Sequence, residues 1–99
     1  MQLRWTDAAV DDLERIADYL FEQTPAHAER LAFQIYDAPQ ALLQFPLRGR
    51  AGRKPGTREF ILPSIPYLLV YTVSDPLIHI IRILHGHSAG RSSLENFSE

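Results

Sequence analysis

Apolar positions along this chain follow two different periods. From residue 7 to residue 42 they recur every three to four places, as on one face of a helix. From residue 58 to residue 84 they form three dense runs, each closed by a glycine, a proline or a Ser-Asp-Pro turn. Ahead of both, Leu3 and Trp5 alternate with Gln2 and Arg4, which predicts a short strand. Thr6 then predicts a helix N-cap, with Asp7 placed where the helix dipole favours an acid. Trp5 and Val10 have the spacing of a hydrophobic staple. Ala9, Leu13, Ile16, Ala17 and Leu20 share one face, widened by Val10 and Phe21. Asp11, Asp12, Glu14, Arg15, Asp18 and Glu22 fall opposite and read as a solvated side. The first helix should span about residues 7–22.

The connector Gln23-Thr24 is very short, so a second helix should double back on the first as a helical hairpin. Thr24 is the expected cap and Pro25 the expected first residue. Ala28, Leu31, Ala32, Ile35 and Leu42 carry the period on. Pro39 lacks the N–H that would bond the carbonyl of Ile35, so the helix should kink or break there. Phe33 points off the apolar stripe. After Phe45-Pro46, residues 47–57 hold three glycines, a proline, three arginines and a lysine, and predict a long loop. Strands are expected over residues 58–62, 67–73 and 77–84, the last apolar enough to lie inside a sheet. The order β-α-α-β-β-β predicts an α+β fold, a helical hairpin packed on a small antiparallel sheet. Residues 1–87 should form the single domain and residues 88–99 a polar, flexible tail, although Leu94 and Phe97 could pack back on it. No internal repeat is visible.

Composition narrows the class. An apolar fraction of 45% and a charged fraction of 22% are those of an ordinary globular domain. No apolar run approaches the roughly 20 residues of a membrane span, and MQLRWTD lacks the apolar region of a secretory leader. With no cysteine there are no disulfides and no thiolate metal ligands. A cytoplasmic location is the resulting expectation.

The net charge of −2 conceals an asymmetry. Residues 7–37 hold eight acids and two bases, a net of −6, whereas residues 38–94 hold seven bases and two acids, a net of +5. The halves either neutralise each other or present one basic surface to an anionic partner. Arg48, Arg50, Arg53, Lys54 and Arg58 form the densest cluster, interspersed with glycines, and are the candidate anion- or partner-binding residues. The plainer reading is a solvated loop. No aromatic is interleaved, so base stacking is not implied.

The histidines make a poor metal site. His79 and His85 have the same strand parity but stand about 20 Å apart. His85 and His87 lack a third ligand nearby. His27 reads as background, and no metal or cofactor is expected.

WTDAAVDDLERIADYL, FPLRGRAG, GTREFILPSIPYLLVYTV and IIRILHGH together resemble the RelE/ParE family of type II toxin–antitoxin toxins, across nearly all of residues 3–87. Phe45 to Arg50, Thr57 to Glu59, and Leu84-His85 look most like the ParE side. The resemblance implies a toxin neutralised by a cognate antitoxin, whose acidic or amphipathic C-terminal segment folds onto it. ParE-type members poison DNA gyrase by binding and need no hydrolytic residues. RelE-type members cut mRNA on the ribosome. The open alternatives are that endonuclease activity, or a degenerate member that binds its antitoxin and poisons nothing.

Metal-free RNA cleavage needs a base, an acid and cations on the phosphate. By the resemblance the candidates are Arg58, Glu59, Arg82, His85 and His87. His87 precedes Ser88, where nuclease members often end on a tyrosine, and Lys54 is the loop's single lysine. Arg58 and Glu59 also read simply as a cross-strand ion pair.

Overall fold

The structure is a computed structural model describing residues 1–86. The chain runs β1 (Gln2–Trp5), α1 (Asp7–Gln23), α2 (Ala28–Asp37), α3 (Gln40–Gln44), β2 (Arg50–Ala51), β3 (Arg58–Ile61), β4 (Tyr67–Ser74) and β5 (Leu77–His85). The five strands form one sheet in the order β1-β5-β4-β3-β2. It is α+β, with the helices on one face, but the sheet is mixed. β2 to β5 are an antiparallel meander, while β1 lies parallel to β5, Gln2 opposite Leu77 and Trp5 opposite Ile80. Alternation along β1 predicts a strand but not its direction. The helices and the meander supply the long return path that a parallel neighbour requires. His87 and the predicted tail, residues 88–99, lie outside the described residues.

Thr6 joins β1, α1 and β5. Its hydroxyl accepts from the Ala9 N–H at 3.0 Å, which is the expected cap, and donates to the Ile81 carbonyl at 2.8 Å. The Thr6 N–H continues the β1–β5 ladder by donating to Ile80 at 3.0 Å. Trp5 stacks on Tyr36 of α2, ring centroids 6.0 Å apart, while Val10 and Phe21 remain exposed. The apolar stripe is therefore narrower than its sequence suggests, and the staple is replaced by an aromatic contact between β1 and α2.

The second helix begins later than Thr24 predicts. Thr24 closes α1 by donating its N–H to Leu20, and its own carbonyl accepts from the His27 N–H. That tight turn occupies Pro25 and Ala26 and makes His27 the N-cap. Pro39 does break the helix. α2 stops at Asp37, and Ala38 and Pro39 accept from Ala41 and Leu42, three-residue bonds that tighten the chain into α3.

Ile35, Leu42, Leu69, Tyr71, Ile78 and Ile80 are fully buried where the helices meet the sheet. Phe60, Leu69, Tyr71, Ile80 and Ile83 mark the helix-covered face. Paired residues in an antiparallel ladder share a face, so the row Glu59–Val70–Arg82 belongs to the other. A β-bulge between Val70 and Tyr71 leaves Ile81 as the extra residue on β5.

Candidate partner-binding site

The predicted loop of residues 47–57 is a braced hairpin arm. Its hub is Tyr71, a fully buried β4 residue whose phenol O–H donates to the Pro46 carbonyl at 2.7 Å and accepts from the Gly49 N–H at 2.8 Å. The backbone comes so close here that a Cβ on Gly49 would lie 2.8 Å from the Glu59 carbonyl and from the Tyr71 ring and hydroxyl. Beyond Gly49 the chain pairs with β3, Arg50 opposite Glu59 and Ala51 opposite Arg58.

Glu59 is only 5% exposed. One carboxylate oxygen accepts from Arg50 Nε and Nη2 at 3.3 and 3.2 Å, and the other from the Arg53 N–H at 3.3 Å. The end of the arm is a turn. Thr57 bonds the Lys54 carbonyl with both its N–H and its hydroxyl, and Gly52 donates to the Thr57 carbonyl at 2.7 Å. Gly56 takes φ +83°, a left-handed conformation that glycine adopts without steric cost.

These bonds divide the five candidate cations. Arg58 is spent on the carbonyls of Leu47 and Gly49. Arg50 is paired with Glu59 across the strands. Arg48 lies 5.3 Å from the Phe60 ring centroid, a cation–π contact on the helix-covered side. Arg53 and Lys54 occupy the exposed tip. Four of the five cations reach the surface, Arg48 and Arg50 while engaged, and Arg58 is half-buried. The cross-strand ion pair involves Arg50, not Arg58, because β2 places Arg50 opposite Glu59.

The nuclease candidates do not converge on one constellation. Arg58 and Glu59 are successive strand residues and face opposite ways. Glu59 and Arg82 share a row but stand two strands apart, about 10 Å. Arg82 is held by Asp12 of α1, whose carboxylate accepts from Arg82 Nε at 2.7 Å and Nη2 at 3.0 Å, and also from the Ile83 N–H at 2.9 Å. Arg15 joins the same carboxylate. The Asp12 bond raises the Arg82 pKa above its ordinary value, against a smaller opposing effect of burial.

His85 meets Tyr67 edge-on at 5.3 Å. Burial, then the nearby Tyr19, pushes the Tyr67 phenol up from its ordinary value. Arg82, His85 and Tyr67 do line one cavity of about 250 Å³, together with Asp12, Arg15 and Tyr19. A second cavity, about 360 Å³, opens beside Phe33, Asp37, Arg48, Phe60 and Ile65. Among the described residues no three metal-ligating side chains cluster, and no helix is long and apolar enough to cross a membrane.

Asp12 is the buried structural acid that apolar periodicity does not single out; Glu59 is expected in an ion pair, but its partner is Arg50 and not Arg58. Helical spacing places Asp12 on the solvated side of α1, yet it is 3% exposed. Its signal was present: it lies three residues after Ala9 and four before Ile16, on the flank of the apolar stripe. Arg82, the only charge within LIHIIRIL, called for such a partner. Among the described residues no strand pairs with β5 beyond β1, and there Asp12 accepts from the Ile83 N–H.

With this geometry in view, the chain matches over residues 3–90 the family described as ParE toxin of type II toxin-antitoxin system, parDE. It is 36% identical over 86 residues to toxin Y4kP of Sinorhizobium fredii, covering 87% of this chain and 88% of that protein. It is 37% identical over 84 residues to toxin RelE2 of Caulobacter vibrioides, covering 85% and 93%. A solved chain of the chromosomal ParDE system of P. aeruginosa superposes with a TM-score of 0.79 at 28% identity, over 89% of this chain and 97% of that one. Isolated E. coli RelE shares the fold alone, with a TM-score of 0.56 at 17% identity over 96% and 93%. The helical hairpin, the mixed sheet and the match along its length make this chain a member of the ParE family of type II toxin–antitoxin toxins.

Proposed function

We propose that this toxin arrests growth by binding DNA gyrase in the cytoplasm, and that a cognate antitoxin neutralises it by folding onto its surface. The observation that carries the reading is the state of the three charged nuclease candidates. Arg58 is bonded to loop carbonyls, Glu59 to Arg50 and a backbone N–H, and Arg82 to Asp12. Charges so engaged brace a scaffold. They are poorly placed to move protons or follow a phosphate through a transition state. A poison that acts by affinity needs none of them free. Antitoxin capture is supported by likeness to the E. coli RelBE toxin–antitoxin complex, with which this chain shares its fold.

Two observations favour a ribosome-dependent endonuclease as the second reading. The cavity beside α1 brings Arg82, His85 and Tyr67 together, and one relative carries the name RelE2.

Inducing the gene alone in a bacterium separates the readings. Gyrase poisoning predicts relaxed plasmid DNA and intact transcripts in arrested cells. Cleaved transcripts with normal supercoiling would overturn it, and undisturbed growth would remove the toxin's action altogether.

A further inference from the structure

We infer that the tip of the β2–β3 arm, Arg53 to Gly56, is a prebuilt finger for DNA phosphates. Arg53 and Lys54 make the contact, and Tyr71 and Glu59 are positioning residues. The inference rests on the proposed action through gyrase, an enzyme whose substrate is DNA, and adds a contact that action does not require.

Three features of the arm lead there. First, its cations are unequal: Arg48 and Arg50, though exposed, and the half-buried Arg58 are engaged by Phe60, Glu59 and the loop carbonyls, whereas the exposed side chains of Arg53 and Lys54 make no such contact at the end of the arm. Second, the end is rigid. Glu59 holds the Arg53 backbone, Thr57 closes the turn on Lys54, and Tyr71 ties the arm's root to β4. A tip whose backbone is tied down forfeits less backbone freedom on binding than a loose loop does. Third, arginine is the tip's one side chain of the kinds that anchor protein interfaces. Arg53, Lys54, Pro55 and Gly56 are all exposed and include no aromatic or large aliphatic side chain. Protein interfaces concentrate their energy in a buried cluster of Trp, Tyr and Arg anchors, and a lone arginine without an aromatic neighbour does not make one. Phosphates ask only for positive charge and close backbone approach. Open space around Gly56, where an added Cβ would meet nothing within 4 Å, allows that approach.

The test is fluorescence anisotropy of the full chain with a labelled DNA duplex, between roughly 50 and 200 mM salt. Removing two phosphate contacts lowers the salt slope by about 1.8, so wild type should lose roughly 12-fold more affinity across that range than R53A/K54A. Tyr71→Phe keeps every charge and the ring, yet it should also weaken binding and flatten the slope, because the arm's root is released. Ile35→Val, a remote core change, should lower the melting temperature without moving the slope, which separates positioning from stability.

An R53A/K54A protein with the wild-type slope overturns the finger. So does Tyr71→Phe behaving as Ile35→Val does. A tip needed for binding poly-glutamate but not duplex DNA overturns the phosphate assignment. Gyrase supercoiling is read on the same preparations. If wild type leaves gyrase untouched while the slope differences hold, the gyrase reading falls and the finger stands; gyrase inhibition with no slope difference gives the reverse.

Discussion

Replacing Asp12 should injure this protein far more than replacing any other acid of α1. The carboxylate is 3% exposed and closes three kinds of contact: the Arg82 guanidinium, the Ile83 N–H and Arg15. In Asp12→Ala the Ile83 N–H loses its acceptor at a covered strand edge, which costs about 1–3 kcal/mol. Loss of the Arg82 pairing adds to this, but the Arg82 side chain is 44% exposed and water recovers much of its charge. A total of about 2–4 kcal/mol follows, below the upper range for breaking a fully buried pair. In a domain of this size that is a fall in melting temperature of roughly 10–25 °C. Asp12→Asn keeps an acceptor for Ile83 and should cost about half as much. Arg15→Ala touches a side chain that is 67% exposed and should cost well under about 1 kcal/mol. Urea unfolding of the three variants checks the order. If Asp12→Ala were as mild as Arg15→Ala, Asp12 would not be joining α1 to β5, and the account of Arg82 as an engaged residue would fail with it.

Other expectations concern the arm and the sheet. Gly49→Ala forces a Cβ against the Glu59 carbonyl and the Tyr71 hydroxyl, and should cost about 1–3 kcal/mol; Gly56→Ala meets open space and should cost only the roughly 1 kcal/mol of left-handed strain, so paired unfolding curves should rank them in that order. Tyr67 gives an alkaline signature. Below its ordinary pKa of 10.0 the phenol is neutral whether the chain is folded or not, so it adds no pH dependence. Above that value the unfolded chain releases the proton first, and stability falls as pH rises towards the raised folded pKa. Tyr67→Phe should flatten melting temperature against pH from about pH 10 upward, and an unchanged curve would mean the phenol is not desolvated.

The periodicity of apolar residues was enough to place both helices of the hairpin, the break at Pro39 and the three long strands, because each depends on neighbours within one or two turns of chain. What stayed hidden depends on distant partners. Asp12 is buried because Ile83, 71 residues later, presents a bare N–H to it. β2 is only two residues long, and its polar Arg50 is held in register by Glu59, not by apolar alternation. The parallel placement of β1 follows from the route of the whole chain. For the same reason, a run of five cations does not reveal that three of them also hold Phe60, Glu59 and loop carbonyls.

The most direct measurement is supercoiling by purified gyrase with rising concentrations of this toxin, then with its antitoxin added. If the protein harms by affinity, supercoiling falls in a dose-dependent way, returns when the antitoxin is supplied, and is inhibited equally by a His85→Ala variant. Supercoiling that is indifferent to the toxin, beside transcripts cut on translating ribosomes in a manner lost with His85→Ala, would contradict it.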